Sequence, residues 1–264
     1  MKKFVKILML LVAVILTVSL ILVKTPVNNL WKELTFSWSE HTETEWKVKE
    51  YADEHGVSFF QYPKSLISLL ERNPETEEFV LEYPFRQTAA VESPAVLPTV
   101  QQGEVPLFLQ WDPNWGYETY GSDFLAVTGC GPTCLAMAGY YLTQDEGFRP
   151  NLIAKFAQKN GYYSKGSGSS WTLISEGAGK LGLKATELPL VKKKMVDAVQ
   201  AGYPVILSMG AGDFTASGHY IVLTGVEDGQ FRVNDPNSRI RSERLWSYED
   251  IESQIRNIWK IENG

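Results

Sequence analysis

The stretch Gly129-Cys130-Gly131-Pro132-Thr133-Cys134-Leu135-Ala136-Met137-Ala138 governs how the rest of the chain is read. Its apolar run after a proline predicts a buried helix over residues 132–142, because proline in a first helical turn sacrifices no intrahelical hydrogen bond. Cys130 then stands at the mouth of that helix, where unpaired N–H groups and the positive end of the dipole favour a thiolate. A thiolate also needs a partner that exchanges its proton, and histidine is the side chain that titrates near neutrality. Of three histidines only His219 follows Cys130; His41 and His55 lie far upstream. Cys130 and His219 are therefore the candidate nucleophile and base. Cys134, one turn deeper, reads as a small buried apolar residue. Two cysteines four residues apart make no disulfide framework.

The first 24 residues bear on compartment. Lys2, Lys3 and Lys6 precede an apolar run over residues 7–23, interrupted by Thr17 and Ser19 and closed by Lys24. As a helix this run spans roughly 26 Å, at the short end of what crosses a bilayer. No small-x-small cleavage site follows it, so an uncleaved signal anchor is expected, with secretion after cleavage as the alternative. Three lysines before the span and one after it place the N-terminus in the cytoplasm and the rest outside the cell membrane. Without those four lysines the formal charge of −6 becomes −10, and no basic patch interrupts it, so nucleic acid is not an expected partner.

Three regions are expected: the anchor at 1–24, an extracytoplasmic spacer at 25–103, and a catalytic domain at 104–264. Within the spacer, charged residues 43–54, the amphipathic stretch 63–72 and residues 75–81 suit short helices, and residues 87–104 read as a linker. Beyond it, helices are predicted at 151–159, 171–181, 191–201 and 247–255, with a flexible serine-glycine loop at 166–170. Strands are predicted at 204–209, 218–224, 230–234 and 257–261. Helices first and strands later imply an α+β domain.

Gln110, Gly129-Cys130-Gly131-Pro132-Thr133, Gly218-His219-Tyr220-Ile221-Val222 and Val233-Asn234-Asp235-Pro236 resemble, in that order, the motifs of the C39-like cysteine peptidases, a papain-like group. The resemblance covers residues 105–261. It implies a helical lobe carrying the cysteine against an antiparallel β lobe carrying histidine and aspartate, and an enzyme acting on peptide or protein; a monomer without cofactor or metal is expected, three histidines being too few for a zinc cluster. It also implies roles: Cys130 as nucleophile, His219 as base, Gln110 as amide donor to the oxyanion, and Asp235 as the residue that orients the imidazole. The stretch from Tyr62-Pro63-Lys64-Ser65-Leu66 through Asn73-Pro74-Glu75-Thr76 and Phe79-Val80-Leu81-Glu82-Tyr83-Pro84 resembles a segment found upstream of such domains in Gram-positive bacteria, and no chemical role is assigned to it. The best-known members are cytoplasmic domains of transporters that cut leader peptides after paired glycines; an exported domain does not inherit that substrate.

Other chemistries lack their residues. There is no His-Glu-x-x-His and no Gly-x-Ser-x-Gly, and Gly177-Ala178-Gly179-Lys180 lacks the hydroxyl and spacing of a phosphate loop. A murein-cleaving amidase of the NlpC/P60 kind is the enzymatic alternative, although that group shows Asp-Cys-Ser-Gly at the nucleophile. A catalytically silent surface binding module is the non-enzymatic one.

The hairpin between His219 and Asp235 yields a geometric expectation. A two-residue Asp228-Gly229 turn with a regular ladder would put Asp235 opposite Val222, on the face away from His219. A three-residue turn, with positive φ at Gly229, puts Asp235 opposite Ile221 and diagonal to His219. The three-residue turn is therefore predicted, with Asn237 as the reserve orienting residue.

Overall fold

A computed structural model describes residues 36, 40–86, 97–99 and 103–264. The expected span at 7–23 lies outside these; among the described residues no helix is long and apolar enough to cross a membrane. The chain divides into two units, Met1–Glu71 with Val80–Thr88, and Arg72–Phe79 with Ala89–Gly264. In the first unit, helix α1 (Glu43–Glu54) is opened by a capping box. Thr42 accepts from the Glu45 N–H while the Glu45 carboxylate accepts from the Thr42 N–H. Helix α2 (Lys64–Arg72) buries Leu66, Ile67, Leu69 and Leu70, as its three-and-four spacing requires.

The second unit is α+β, as expected. Helix α3 (Cys130–Thr143) is buried from Gly131 to Tyr140, the environment that its all-round apolar sequence needs, and α4 (Pro150–Lys159) packs along it. A six-stranded antiparallel sheet follows: β1 (Leu183–Glu187), β2 (Val205–Met209), β3 (His219–Glu227), β4 (Gln230–Asn234), β5 (Leu245–Trp246) and β6 (Ile255–Asn263), in the order β1-β6-β2-β3-β4-β5. One face, with Ile206, Tyr220, Val222 and Trp259, shares a core with α3; the other, with Leu207, Ile221, Leu223 and Ile258, packs on α5 (Lys192–Gln200). Covered on both faces, β2 and the start of β3 read as continuous apolar runs rather than alternating ones.

The hairpin reaches the expected geometry by another route. Its turn has two residues, Asp228 at φ 50° and Gly229 at φ 76°, so Glu227 pairs with Gln230. Asp-Gly is the pair that this left-handed turn favours, and its twist suits the flanking strands. The odd residue is taken up by a bulge at Thr224, between the Leu223–Val233 and Gly225–Arg232 pairs. Beyond the bulge Val222 faces Asn234, and continuing that register sets Asp235 across from Ile221. The predicted three-residue turn is thus incorrect, and the predicted partner of Asp235 is kept.

Other differences have local causes. The helix expected over 171–181 contains a wide turn at Leu173–Gly177, and residues 247–255 divide into Tyr248–Ile251 and a tighter turn at Glu252–Gln254. Strand β1 went unread because it is an edge strand in which only Leu183 is buried, so its pattern carries little apolar signal. The loop expected at 166–170 includes a paired segment, in which Gly168–Ser169 is buried against Tyr163–Ser164.

Candidate active site

Cys130 is the first residue of α3 and is partly exposed, whereas Cys134 is buried. Burial pushes the Cys134 thiol well above its ordinary value, so it stays protonated and inert. The helix mouth is tightly packed from below. A Cβ on Gly131 would lie 2.6 Å from Ser169 Oγ. Gly168, at φ +76°, brings the short hairpin so close that its Cβ would meet the Thr128 carbonyl oxygen at 2.8 Å. Ser169 is then fixed by the hydroxyls of two buried tyrosines: its Oγ lies 2.8 Å from Tyr120 Oη, and its carbonyl accepts from Tyr220 Oη at 3.3 Å. Glycines flanking Cys130 and inside the serine-glycine stretch therefore serve close packing.

His219 opens β3, and its Nε2 lies 2.7 Å from Asp235 Oδ1. Cys130 lies close enough to the ring to act on it electrostatically. Burial would lower the imidazole pKa, but the Asp235 carboxylate overrides it, with Cys130 adding to the effect, and the value is pushed up to about 10. Asp235 is fully buried. Burial alone would raise its pKa; His219 and Arg241 instead hold it below the usual carboxylate range. Its other oxygen, Oδ2, accepts from Arg241 Nε at 2.5 Å, and the Asn237 N–H donates to Oδ1 at 2.8 Å. Asn237 thus steadies the aspartate through its backbone and does not replace it at the imidazole.

Gln110 is buried and bridges the two halves of this site. Its N–H donates to the Pro236 carbonyl at 2.7 Å, next to Asp235, and its Nε2 donates to the Ala126 carbonyl at 2.7 Å, one turn before Cys130. An amide nitrogen carries two hydrogens, so one remains for a ligand. Gln110 Oε1 is buried without a hydrogen-bond partner among the described residues. The chain therefore gathers Cys130 beside a hydrogen-bonded His219–Asp235 pair, with Gln110 tied to the segments on either side.

Residues 102–264 match the model of the Peptidase_C39 like family. The chain belongs to that family. It is a cysteine peptidase, and the C39-like segment covers α3 and the whole six-stranded sheet. No curated protein matches this C39-like peptidase. Among solved structures it is similar to the peptidase domain of Streptococcus ComA, a bifunctional ABC transporter, at 20% identity over 52% of this chain and 93% of that one, with TM-score 0.41. It is similar also to a double glycine motif protease from an AMS/PCAT transporter, solved with its leader peptide, at 18% identity over 62% and 94% of the two chains, TM-score 0.40. A C39-like peptidase from Bacillus anthracis matches at 19% identity over 62% and 98%, TM-score 0.37.

The sequence reading missed Arg241. It lies six residues past Asp235, beside an equally plausible Arg239, and nothing in their spacing selects one. The short helix α6 (Arg239–Glu243) makes the choice by aiming Arg241 at Asp235 while Arg239 lies 5.5 Å from the centre of the Trp111 ring.

Proposed function

We propose that this C39-like peptidase cleaves peptide bonds through Cys130, His219 and Asp235, with Gln110 as oxyanion donor. The observation that carries this reading is the position of the His219 ring, bonded to Asp235 Oδ1 and near enough to Cys130 for the two to interact electrostatically. A raised imidazole pKa favours transfer of the thiol proton to His219. The thiolate then attacks the scissile carbonyl carbon, and the oxyanion is met by the spare Gln110 N–H. As the C–N bond breaks, His219 gives its proton to the departing amine. Water, deprotonated by His219, next attacks the thioester and releases the second product and Cys130.

A fluorescent iodoacetamide tests the pair. Labelling at Cys130 near neutral pH falls steeply in His219→Ala if the imidazole sustains the thiolate; equal labelling of both proteins rejects the mechanism. Gln110→Ala is expected to lower kcat about 100-fold, the effect of losing one oxyanion donor, with KM nearly unchanged. A variant that raised KM alone would assign Gln110 to substrate binding instead. We further propose that residues 7–23 anchor the protein with its catalytic unit outside the cell. The support is the lysine-flanked apolar run. Comparing new surface protein termini in wild-type cells with those in a Cys130→Ala strain would reveal substrate and compartment together.

A further inference from the structure

Asn73-Pro74-Glu75-Thr76 precedes the family-matched region by more than twenty residues, yet it lies in the same unit as the catalytic groups. Its own fold is fixed locally: Asn73 Oδ1 accepts from the Glu75 N–H at 3.1 Å, and Thr76 Oγ1 donates to the Asn73 carbonyl at 2.8 Å. Pro74 occupies the first position of this short helical turn, which suits its fixed φ. The turn projects Glu75 onto the segment that follows Asp235.

There the carboxylate accepts from the Ser238 hydroxyl, from the Arg239 N–H at 2.7 Å and from the Ile240 N–H at 3.3 Å. Asn73 Nδ2 donates to the Asn237 carbonyl, which also accepts from Trp111 Nε1 at 3.1 Å. Glu75 thus satisfies the N–H groups that open α6, and α6 carries Arg241, whose Nε reaches Asp235 Oδ2. The far end of α6 returns to the same aspartate, since Ser242 Oγ accepts from the Asp235 N–H at 2.9 Å.

We propose that Glu75 is a positioning residue for Asp235. It acts through α6 and Arg241, so that residues 72–79 complete the catalytic unit. Glu75 touches no reacting atom. Its carboxylate fixes the start of α6, hence the approach of Arg241, hence the carboxylate that orients His219. This rests on the Cys130–His219–Asp235 reading proposed above.

The test uses the full chain and the rate of Cys130 alkylation by iodoacetamide across pH, together with thermal unfolding. In Glu75→Gln one neutral carbonyl oxygen replaces two charged ones, so it cannot accept from both the α6 N–H groups and the Ser238 hydroxyl, and the rate near neutrality is expected to fall roughly tenfold, the lower end of what outer-shell partners contribute. The upper inflection of the profile, which reports His219, moves to lower pH, as it does in Asp235→Asn. Adding Glu75→Gln to Asp235→Asn changes neither quantity further. A Glu75→Gln protein that melts earlier but keeps the wild-type rate and inflection overturns the proposal and leaves a structural cap. If Asp235→Asn itself leaves the profile unchanged, the mechanistic reading fails and the proposal fails with it. Should Glu75→Gln not fold, Asn73→Ala loosens the same segment without altering the carboxylate, and the same comparison decides.

Discussion

Replacing Cys130 with serine abolishes turnover, whereas replacing Cys134 with alanine leaves most of it. Both cysteines belong to α3, but Cys130 opens the helix, is partly exposed and acts electrostatically on His219, while Cys134 is buried one turn in. A serine hydroxyl at position 130 has no ionised form near neutrality, and loss of a nucleophile from such a cooperating set removes at least about 10,000-fold in kcat. Cys134→Ala deletes one buried sulfur and costs on the order of 1 kcal/mol in stability through the small cavity left behind. Release of new N-termini from a complex peptide library measures the first effect, and denaturant unfolding the second. An active Cys130→Ser protein would remove the nucleophile assignment.

Asp235→Asn is expected to be nearly as damaging and to rewrite the pH dependence. The carboxylate counters the burial that would otherwise lower the imidazole pKa. With the charge gone, only Cys130 is left to oppose burial, so the pKa drops from about 10. Turnover near neutrality falls on the order of 1,000- to 10,000-fold, because the imidazole loses both its tautomer and its cationic form. Stability follows the same linkage. A histidine whose pKa is raised on folding contributes fully below its unfolded value of 6.5 and loses that contribution as pH rises through about 10. Asp235, lowered on folding, contributes above its unfolded value of 3.8 and loses that contribution as pH falls through its folded one. Wild-type unfolding midpoints should therefore decline on both sides of a plateau, and Asp235→Asn should lower the plateau by about 3–5 kcal/mol, the cost of breaking a buried charge pair. A variant with a wild-type alkaline limb would show that Asp235 does not govern His219.

The parts legible in sequence were those carried by local chemistry. The proline-led apolar run announced α3, and the scarcity of histidine singled out His219 before any geometry was known. The β-branched runs gave β2 and most of β3, although β1 and the ends of β6 depended on pairing between residues distant in sequence. Arg241 and Glu75 were invisible for a related reason. Each is an ordinary charged residue whose role comes from what the folded chain sets against it, Asp235 in one case and the start of α6 in the other. Gly131 and Gly168 lay within stretches already noted, but their purpose, close approach around Ser169, is a property of the packed helix mouth alone.

The bulge at Thr224 turns the His219–Asp235 relationship into a question of odd and even. Three residues between them stand outside the ladder, namely Thr224, Asp228 and Gly229. A hairpin with all three in its turn and no bulge would pair identically from Leu223 and Val233 outward. What the open end of this hairpin senses is only whether the number of excluded residues is odd, because side chains alternate with a period of two. Turn length and bulge count are therefore interchangeable. Related chains can lengthen this turn by one residue, provided that they straighten the strand at Thr224, and still present an aspartate to the same imidazole.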